Sequence, residues 1–315
     1  MTTARRLRLA VLIAALTGIA LVVFVARNLD RGERTGGAVT LLSALPLARG
    51  EGDVADVLAG RSAPDPLYRW LERRRGIAPI DAVGAGALGR APVLLAIQPR
   101  ALAPEELVAI DDWVREGGRA VMFVDPLLGW PSRYPIGDAR RAPLSDMLGP
   151  IETHWGLTMT PGADGVRRLP GGGRVTVSGA GTWASDGRCR VTLGGLIADC
   201  AIGRGRALLV ADADLLHAAL WEKPFLWRGS EAPQLLLALI EAAERGAPPA
   251  AVPATRRVAI PLAVIGAALL FALVIPLLLF LRLRTGLRAR NAAGTSGGAA
   301  RPDPSEGQKV GQNPS

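Results

Sequence analysis

Five polar residues end or follow apolar runs that are typical of buried strands, and their types make them the candidates for chemistry. They are Ser43, Gln98, Asp125, Asp212 and Asp214. Because ligands bind at the carboxyl ends of strands in an open α/β sheet, these are candidate ligand or partner residues. Three carboxylates at one edge could hold a hard cation such as Mg²⁺ or Ca²⁺. The spacing favours the simpler alternative that Asp125 and Asp212 cap turns, so no metal site is predicted.

Nucleophilic catalysis would need an activated side chain, and the sequence offers little for it. No G-x-S-x-G elbow is present, and Ser43 is the one strand-end candidate that could attack a substrate. The histidines are His154 and His217, so a Ser43–His217–aspartate arrangement is an alternative. Neither a zinc-binding spacing nor a phosphate-binding loop occurs. The sequence therefore predicts no enzyme activity and no cofactor.

The two cysteines, Cys189 and Cys200, lie symmetrically about Gly194–Gly195, which suits a two-residue hairpin turn. Counting outward from this turn pairs Leu193 with Leu196 and Cys189 with Cys200. The cysteines would then form a hydrogen-bonded pair of the antiparallel ladder, about 5.5 Å apart between Cα atoms. This distance suits a disulfide, although a hydrogen-bonded pair is the less favourable geometry for one. Two buried free thiols are the alternative. The matched register favours the disulfide, as would an oxidising location.

The elements that would position these residues alternate between strand and helix over about 36–246. Strands are predicted at 39–45, 93–98, 119–126 and 205–216, helices at 65–76, 103–118 and 230–246, and antiparallel strands within 160–204. Asp65 and Ser230 are the predicted N-caps of the first and last helix. Continuous apolar strands separated by amphipathic helices imply a mainly parallel sheet with both faces covered. The predicted fold is a three-layer α/β domain with a β-rich insertion at about 160–204.

Composition and charge indicate a membrane protein. Of 315 residues, 49% are hydrophobic and two are cysteines, which excludes a disordered chain and a disulfide scaffold. The net charge is +9, but the basic excess flanks two uncharged apolar runs, 9–26 and 258–281, and the region between them is nearly neutral. Each run is long enough to cross a hydrocarbon core of about 30 Å. Because this charge lies where phospholipid head groups would be, no nucleic-acid partner is predicted.

The apolar runs divide the chain into four predicted segments. Residues 1–34 form a cytoplasmic stub and an uncleaved anchor, 35–250 the α/β domain, 251–285 a linker and second transmembrane helix, and 286–315 a disordered cytoplasmic tail. Arginines precede the first span and follow the second, which puts both termini in the cytoplasm by the positive-inside rule. Arginines at the inner flanks weaken that contrast, but a long loop is translocated largely regardless of its charge. The central domain is therefore predicted outside the cytoplasm.

Two parts of the chain carry a family resemblance. Residues 94–126 read LLAIQPRALAPEELVAIDDWVREGGRAVMFVDP, and residues 203–216 and 234–244 read GRGRALLVADADLL and QLLLALIEAAE. These segments resemble the class I glutamine amidotransferase-like domains of membrane-anchored bacterial proteins. That group includes auxiliary components of gliding-motility-type ABC transporters and a family of unknown function often encoded beside MoxR-type ATPases. The resemblance implies a flavodoxin-like fold, and many members lack a catalytic cysteine. Here Asp125-Pro126-Leu127 follows the strand without a nucleophile elbow, which argues against amidotransferase activity.

Together these features predict a non-catalytic binding or adaptor module in the bacterial cytoplasmic membrane, with its central domain in the periplasm. It would be an accessory subunit of a membrane complex such as an ABC-type transport system or a MoxR-associated system. The predicted partners are membrane lipid and other subunits of that complex. The sheet edge, an exposed Trp130 and the Trp221/Trp227 segment are the predicted contact surfaces.

Two other functions are compatible with the same residues. An amidotransferase-like hydrolase would use Ser43, His217 or the aspartates. A divalent-cation-binding or sugar-binding domain would use Asp125, Asp212 and Asp214 at the sheet edge. Both alternatives depend on how these side chains are placed relative to one another, which spacing in the sequence does not determine.

Overall fold

The computed structural model describes residues 36–254, apart from positions 53, 60, 61, 85, 91 and 222–228. These residues belong to one compact unit, Arg31–Arg256. The predicted membrane spans 9–26 and 258–281 and the predicted tail 286–315 lie outside the described residues. Within the described part, no helix combines the length and the apolar character that a membrane crossing requires.

A seven-stranded sheet forms the centre of the domain. The strands in chain order are β1 Val39–Ser43, β2 Ile77–Ile80, β3 Val93–Ile97, β4 Arg119–Phe123, β5 Leu157–Thr160, β6 Gly165–Arg168, β7 Arg174–Val177, β8 Thr182–Ser185, β9 Cys189–Thr192, β10 Ile197–Ile202 and β11 Gly205–Val210. The sheet order is β2-β1-β3-β4-β11-β10-β9, and the first five of these strands are parallel. The predicted mainly parallel α/β sheet is therefore confirmed. Its order β2-β1-β3-β4-β11 is that of flavodoxin-like sheets.

Helices cover both faces of this sheet. They are α1 Val54–Leu58, α2 Pro66–Arg74, α3 Pro104–Arg115, α4 Gly149–His154, α5 Ala218–Trp221 and α6 Ala232–Arg245. Along β3, Val93, Leu95 and Ile97 pack in one apolar cluster with α2 and α6, whereas Leu94 and Ala96 pack in a second cluster with α3 and α4. This alternation explains why the strands are continuous apolar runs in the sequence, since every residue is buried on one face or the other.

Local signals in the sequence set the helix ends in most cases. The Asp65 carboxylate accepts the backbone N–H of Leu67 at 2.7 Å, and Pro66 occupies the first turn of α2, as predicted. The prediction of Ser230 as the N-cap of the last helix is wrong, because α6 begins after Glu231. The Ser230 hydroxyl instead accepts the backbone N–H of Thr176, which ties β7 to the start of α6.

One strand of the sheet, β2, was not predicted from the sequence. It has four residues, one of which is Pro79, and it pairs on one side only, with β1. Proline has no backbone N–H, so in a central strand it would leave a ladder hydrogen bond unmade. At a sheet edge its nitrogen can face away from the partner strand, and proline is tolerated there. A short segment that contains proline does not resemble a buried strand, and its pairing with β1 is a tertiary effect.

The region predicted as a β-rich insertion, 160–204, is antiparallel throughout but does not form one separate unit. β5 pairs with β8 and β6 pairs with β7 in two small ladders. The hairpin of β9 and β10 instead joins the central sheet beside β11. The parallel sheet is therefore extended by two antiparallel strands.

The hairpin of β9 and β10 has the predicted register, with Cys189 opposite Cys200, and the structure joins these two cysteines in a disulfide. The turn is longer than predicted: the ladder starts at Thr192 and Ile197, and Leu193 to Leu196 form the turn. Moving the first pair by one residue shifts the alternation of the ladder by one position. The cysteine Cα atoms are accordingly 4.3 Å apart, close to the spacing of about 4.5 Å at a non-hydrogen-bonded pair.

Candidate functional site

The carboxyl ends of β1, β3, β4 and β11 lie side by side and bring the predicted site residues to one edge of the sheet. Ser43 pairs with Ile97, Ile97 with Phe123, and Phe123 with Val210, so the residues after each strand follow in a row. Gln98, Asp125, Asp212 and Asp214 are buried here, and Ser43 is partly buried. The sequence therefore located the edge, but the burial of these groups determines what they can do.

Ser43 uses its hydroxyl within the sheet. The hydroxyl donates to the Ile97 carbonyl oxygen at 2.7 Å and accepts the backbone N–H of Leu45 at 3.1 Å. A nucleophilic serine needs its proton to lie toward a base. The Ser43 proton lies toward a backbone carbonyl instead, and the hydroxyl fastens the segment after β1 to β3.

Gln98 connects three segments at this edge. Its backbone has φ 40°, in the left-handed region that is uncommon for residues other than glycine. The side-chain oxygen accepts the backbone N–H of Asp125 at 2.9 Å, and the side-chain nitrogen donates to the carbonyl oxygens of Pro143 and Ser145 at 3.0 and 3.1 Å. All three bonds join Gln98 to residues after β4, so this side chain holds both ends of the loop between β4 and α4.

Asp125 and Asp212 are both fully buried and accept backbone N–H groups. Asp125 accepts from Leu127 at 2.8 Å through one oxygen and from Ala213 at 3.2 Å through the other. Asp212 accepts from Leu215 at 2.8 Å and from Ser178 at 3.0 Å. These are the bonds of turn-capping carboxylates, the alternative that the sequence favoured over a cation site.

Asp214 completes the cluster and differs from the other two. One of its oxygens accepts the backbone N–H of Gly129, and the other, Oδ1, is buried without a hydrogen-bond partner among the described residues. Within the described part of the chain, no group of three or more His, Cys, Asp or Glu residues is arranged to hold a metal ion. The three aspartates are therefore close neighbours that bind backbone.

Burial governs the charge of these three carboxyls. Burial raises the pKa of Asp212 to about 8, and the neighbouring charge of Asp125 is the second largest cause of this increase. Burial likewise raises the pKa of Asp214 to about 6, against the hydrogen bond from Gly129, and it raises the pKa of Asp125. Asp125 and Asp212 share a side-chain hydrogen bond, which two carboxyls can form only when one is protonated. At neutral pH Asp212 is therefore largely the neutral, proton-donating member of the pair.

His217 lies at the same edge but against an aromatic ring. It contacts the ring of Trp130 edge-on, with 4.7 Å between ring centroids, and burial lowers the pKa of His217. The prediction that Trp130 is exposed is wrong, because only 6% of it is accessible. Trp221 is partly buried and donates its indole N–H to the Leu216 carbonyl oxygen, and Trp227 lies outside the described residues. Trp130 and Trp221 therefore do not provide the predicted open aromatic surface.

Exposed apolar side chains lie instead on the loop between β4 and α4, residues 124–148, named here the β4 loop. Leu127 is 67% exposed and Ile136 is 76% exposed. Hydrogen bonds to the segment after β1 hold this loop in place: Arg133 and Tyr134 donate to the backbone carbonyls of residues 51 and 52. The exposure of Leu127 and Ile136 was not predicted, because an apolar residue in a loop without periodicity gives no sign of whether it is buried.

A further buried carboxyl, Glu152 on α4, was also missed. It is 2% exposed, and burial, together with Asp146, raises the pKa of Glu152 to about 10. Its Oε1 atom has no hydrogen-bond partner among the described residues. Glu152 is therefore neutral in the folded domain at physiological pH.

Glu152 should make the stability of the domain depend on pH. Its folded-state pKa lies above its ordinary value of 4.5, so between these values the folded chain keeps a proton that the unfolded chain releases. Stability then falls as the pH rises through this window, by up to about 1.4 kcal/mol per pH unit. In Glu152→Gln this contribution is absent. We expect the melting temperature of the full chain in uncharged detergent to fall less between about pH 8 and about pH 9.5 than in the wild type.

The comparison of the variant with the wild type separates Glu152 from the aspartate cluster, whose raised pKa values of about 6 and about 8 affect both chains alike. The exposed Glu105→Gln on α3 is the matched control and should keep the wild-type slope. Equal slopes for the wild type and Glu152→Gln would show that Glu152 is ionised in the folded chain.

Comparison with known proteins gives similarity at the level of fold. No protein-family model and no curated protein sequence matches this chain. Similar solved structures include the mmIFT52 N-terminal domain, with 10% identity and a TM-score of 0.43 over 65% of this chain and 97% of that chain. A putative ThuA-like protein from Parabacteroides merdae has 13% identity and a TM-score of 0.33 over 69% of this chain and 92% of that chain. A beta-galactosidase from Bacillus circulans sp. alkalophilus has 15% identity and a TM-score of 0.35 over 70% of this chain and 32% of that chain.

Proposed function

We propose that this chain is a non-catalytic, membrane-anchored binding module whose partners are other subunits of a bacterial membrane complex, such as an ABC-type transport system or a MoxR-associated system. The observation that carries the proposal is that the polar groups at the strand ends bond to the chain's own backbone. Groups used in this way position loops, and the Ser43 hydroxyl donates to the Ile97 carbonyl oxygen rather than to a side-chain base that could activate it for nucleophilic attack. The sequence resemblance to amidotransferase-like domains of membrane-anchored proteins supports the same function.

The β4 loop is the proposed partner-binding surface. Buried residues hold it at its base, where Gln98 bonds to Pro143 and Ser145 and Asp125 bonds to Leu127. Exposed Leu127 and Ile136 give it apolar area of the kind that protein partners cover. A loop held by a rigid sheet binds with a smaller loss of conformational entropy than a free loop, which favours recognition at this edge.

Anchoring by spans 9–26 and 258–281 is part of the proposal and rests on their length and on the arginines beside them. A reporter enzyme that is active only in the periplasm should be active when fused after Gly246 and silent when fused at Ser315. A cytoplasmic reporter should give the reverse result at each position. Activity of the periplasmic reporter at Ser315 and not at Gly246 would contradict this topology.

Site-specific photo-crosslinking in cells tests the partner surface. A photo-reactive amino acid at Leu127 or Ile136 of the full chain should give a covalent adduct of one discrete additional mass. Val166 on β6 is the matched control, because it is an apolar residue with 55% exposure that does not belong to the β4 loop. The same adduct at Val166, or no discrete adduct at either β4-loop position, would overturn the assignment of this surface.

A further inference from the structure

An open groove of about 600 Å³ lies at the opposite edge of the sheet, near the amino ends of β4 and β11. Five arginines contribute to its lining: Arg119, Arg188, Arg190, Arg204 and Arg206. The one carboxylate among its lining residues is Asp199. None of these residues belongs to the carboxyl-edge site or to the β4 loop, so the function proposed above leaves this groove unexplained.

The sheet itself brings these arginines together. Arg119 on β4 pairs in register with Arg206 on β11, and Arg190 on β9 pairs with Asp199 on β10. Arg204 lies in the turn between β10 and β11. The arrangement therefore spans four neighbouring strands, and the disulfide between β9 and β10 fixes its outer part. The rigid backbone of the sheet holds several positive charges near one another. On a flexible surface these charges would move apart.

Carboxylates only partly neutralise this charge. Asp199 pairs with both Arg190 and Arg206 at 2.7 and 2.6 Å, and Asp186 pairs with Arg188 at 2.7 Å. Arg119 and Arg204 donate to the backbone carbonyls of Arg204 and Glu116, and neither has a carboxylate partner among the described residues. Two guanidinium groups are thus left to a ligand, in a groove whose other pairs already hold the remaining arginines in place.

The chemistry of the groove favours an oxyanion. Gly187, Gly203 and Gly205 are among its lining residues, and the side chains that project beside them are mainly arginines. The Arg206 side chain is 12% exposed, and its guanidinium is fixed by the bond to Asp199. Guanidinium groups bind phosphate through paired, charge-assisted hydrogen bonds, and a site with several arginines favours phosphate over a single carboxylate.

We propose that this groove binds a phosphate group, and that the phosphate is the head group of an anionic phospholipid. The chain enters β1 at Val39, at the amino edge of the parallel sheet, and this is the edge where Arg119 starts β4. In the sequence, about twelve residues separate the end of the predicted first span at residue 26 from the start of β1. The lipid source rests on the proposed membrane anchoring, whereas the phosphate chemistry rests on the groove alone.

Binding of short-chain lipids to the full chain in uncharged detergent tests this proposal by calorimetry. We expect saturable binding of dihexanoyl phosphatidylglycerol, weaker binding of inorganic phosphate, and loss of both as salt is raised. The double variant Arg119→Gln/Arg204→Gln should weaken phosphatidylglycerol binding by about tenfold or more, because it removes the two guanidinium groups without a carboxylate partner. The matched control, Arg167→Gln/Arg168→Gln on β6, removes the same charge outside the groove and should bind like the wild type.

Each outcome has a separate meaning. Inorganic phosphate that binds at least as tightly as phosphatidylglycerol, with the same sensitivity to the groove variant, would overturn the lipid source. Absence of saturable binding, or equal binding by the groove and control variants, would overturn the phosphate site itself. Neither result affects the adduct expected at Ile136, so failure here is distinguishable from failure of the proposed function. Near-ultraviolet circular dichroism of the groove variant should match that of the wild type, which separates lost binding from lost folding.

Discussion

Asp212→Lys is expected to prevent stable folding of the central domain. Asp212 is fully buried, and lysine would bring a long cation to that position while removing the acceptor for the N–H groups of Leu215 and Ser178. A buried charge combined with two unsatisfied donors costs more than about 4 kcal/mol. A typical domain has about 5–15 kcal/mol of stability in total, so this single change removes much of it.

Limited proteolysis of the full chain in detergent measures this effect directly. Asp212→Lys should be cleaved within the central domain under conditions that leave the wild type intact. Asp212→Asn is the informative comparison, because its amide can donate to Asp125 as the protonated carboxyl does and its oxygen can accept one of the two N–H groups. It should lose about 1–2 kcal/mol and still fold. Equal protease resistance of Asp212→Lys and the wild type would show that this side chain points to solvent.

Asp125→Ala should have the second largest effect. Alanine leaves the backbone N–H groups of Leu127 and Ala213 without their acceptor in a fully buried position. It also removes the partner of the Asp212 proton. Each unsatisfied buried group costs about 1–3 kcal/mol, so we expect a loss of about 3 kcal/mol or more and a loosened β4 loop.

Hydrogen exchange followed by mass spectrometry would resolve where Asp125→Ala acts. Protection should fall first in peptides that cover the β4 loop and residues 211–217, and less in α3. Asp138→Ala, a change of a half-buried carboxylate in the same loop that pairs with Arg140, should leave the exchange of α3 and β4 as in the wild type. A uniform change in protection across the domain would argue that Asp125 does not specifically hold this loop.

The central strands and helices could be predicted because their residue types indicate burial and helix ends directly. β3 and β4 are continuous apolar runs, and α2 carries its own start signal in Asp65 and Pro66. The position of Asp125 and Asp212 directly after strands also predicted that they would meet at one edge. These features are local, and each of them follows from one element and its neighbours in the chain.

Features that depend on tertiary packing could not be predicted in this way. β2 forms because β1 offers it a free edge, although Pro79 makes it a poor strand by itself. Trp130 is buried because it packs against His217, which is far from it in sequence. The exposure of Leu127 and Ile136 depends on how the β4 loop is held by Gln98 and by the segment after β1. The sequence therefore predicted which polar residues meet at the sheet edge, whereas the exposure of the proposed partner surface depends on tertiary packing.

We propose that this edge binds a partner through the β4 loop and does no chemistry. The decisive measurement is the yield of the photo-crosslinked adduct from Ile136 in cells, compared between variants of the full chain. The double variant Ser43→Ala/His217→Phe should still give the adduct, because it removes the hydroxyl and the imidazole that catalysis would need while phenylalanine keeps a ring against Trp130. Leu127→Glu should abolish the adduct while the domain stays folded, because it puts a charge on the proposed contact surface. An adduct that survives Leu127→Glu but disappears in the Ser43→Ala/His217→Phe variant would contradict a non-catalytic binding surface on this loop.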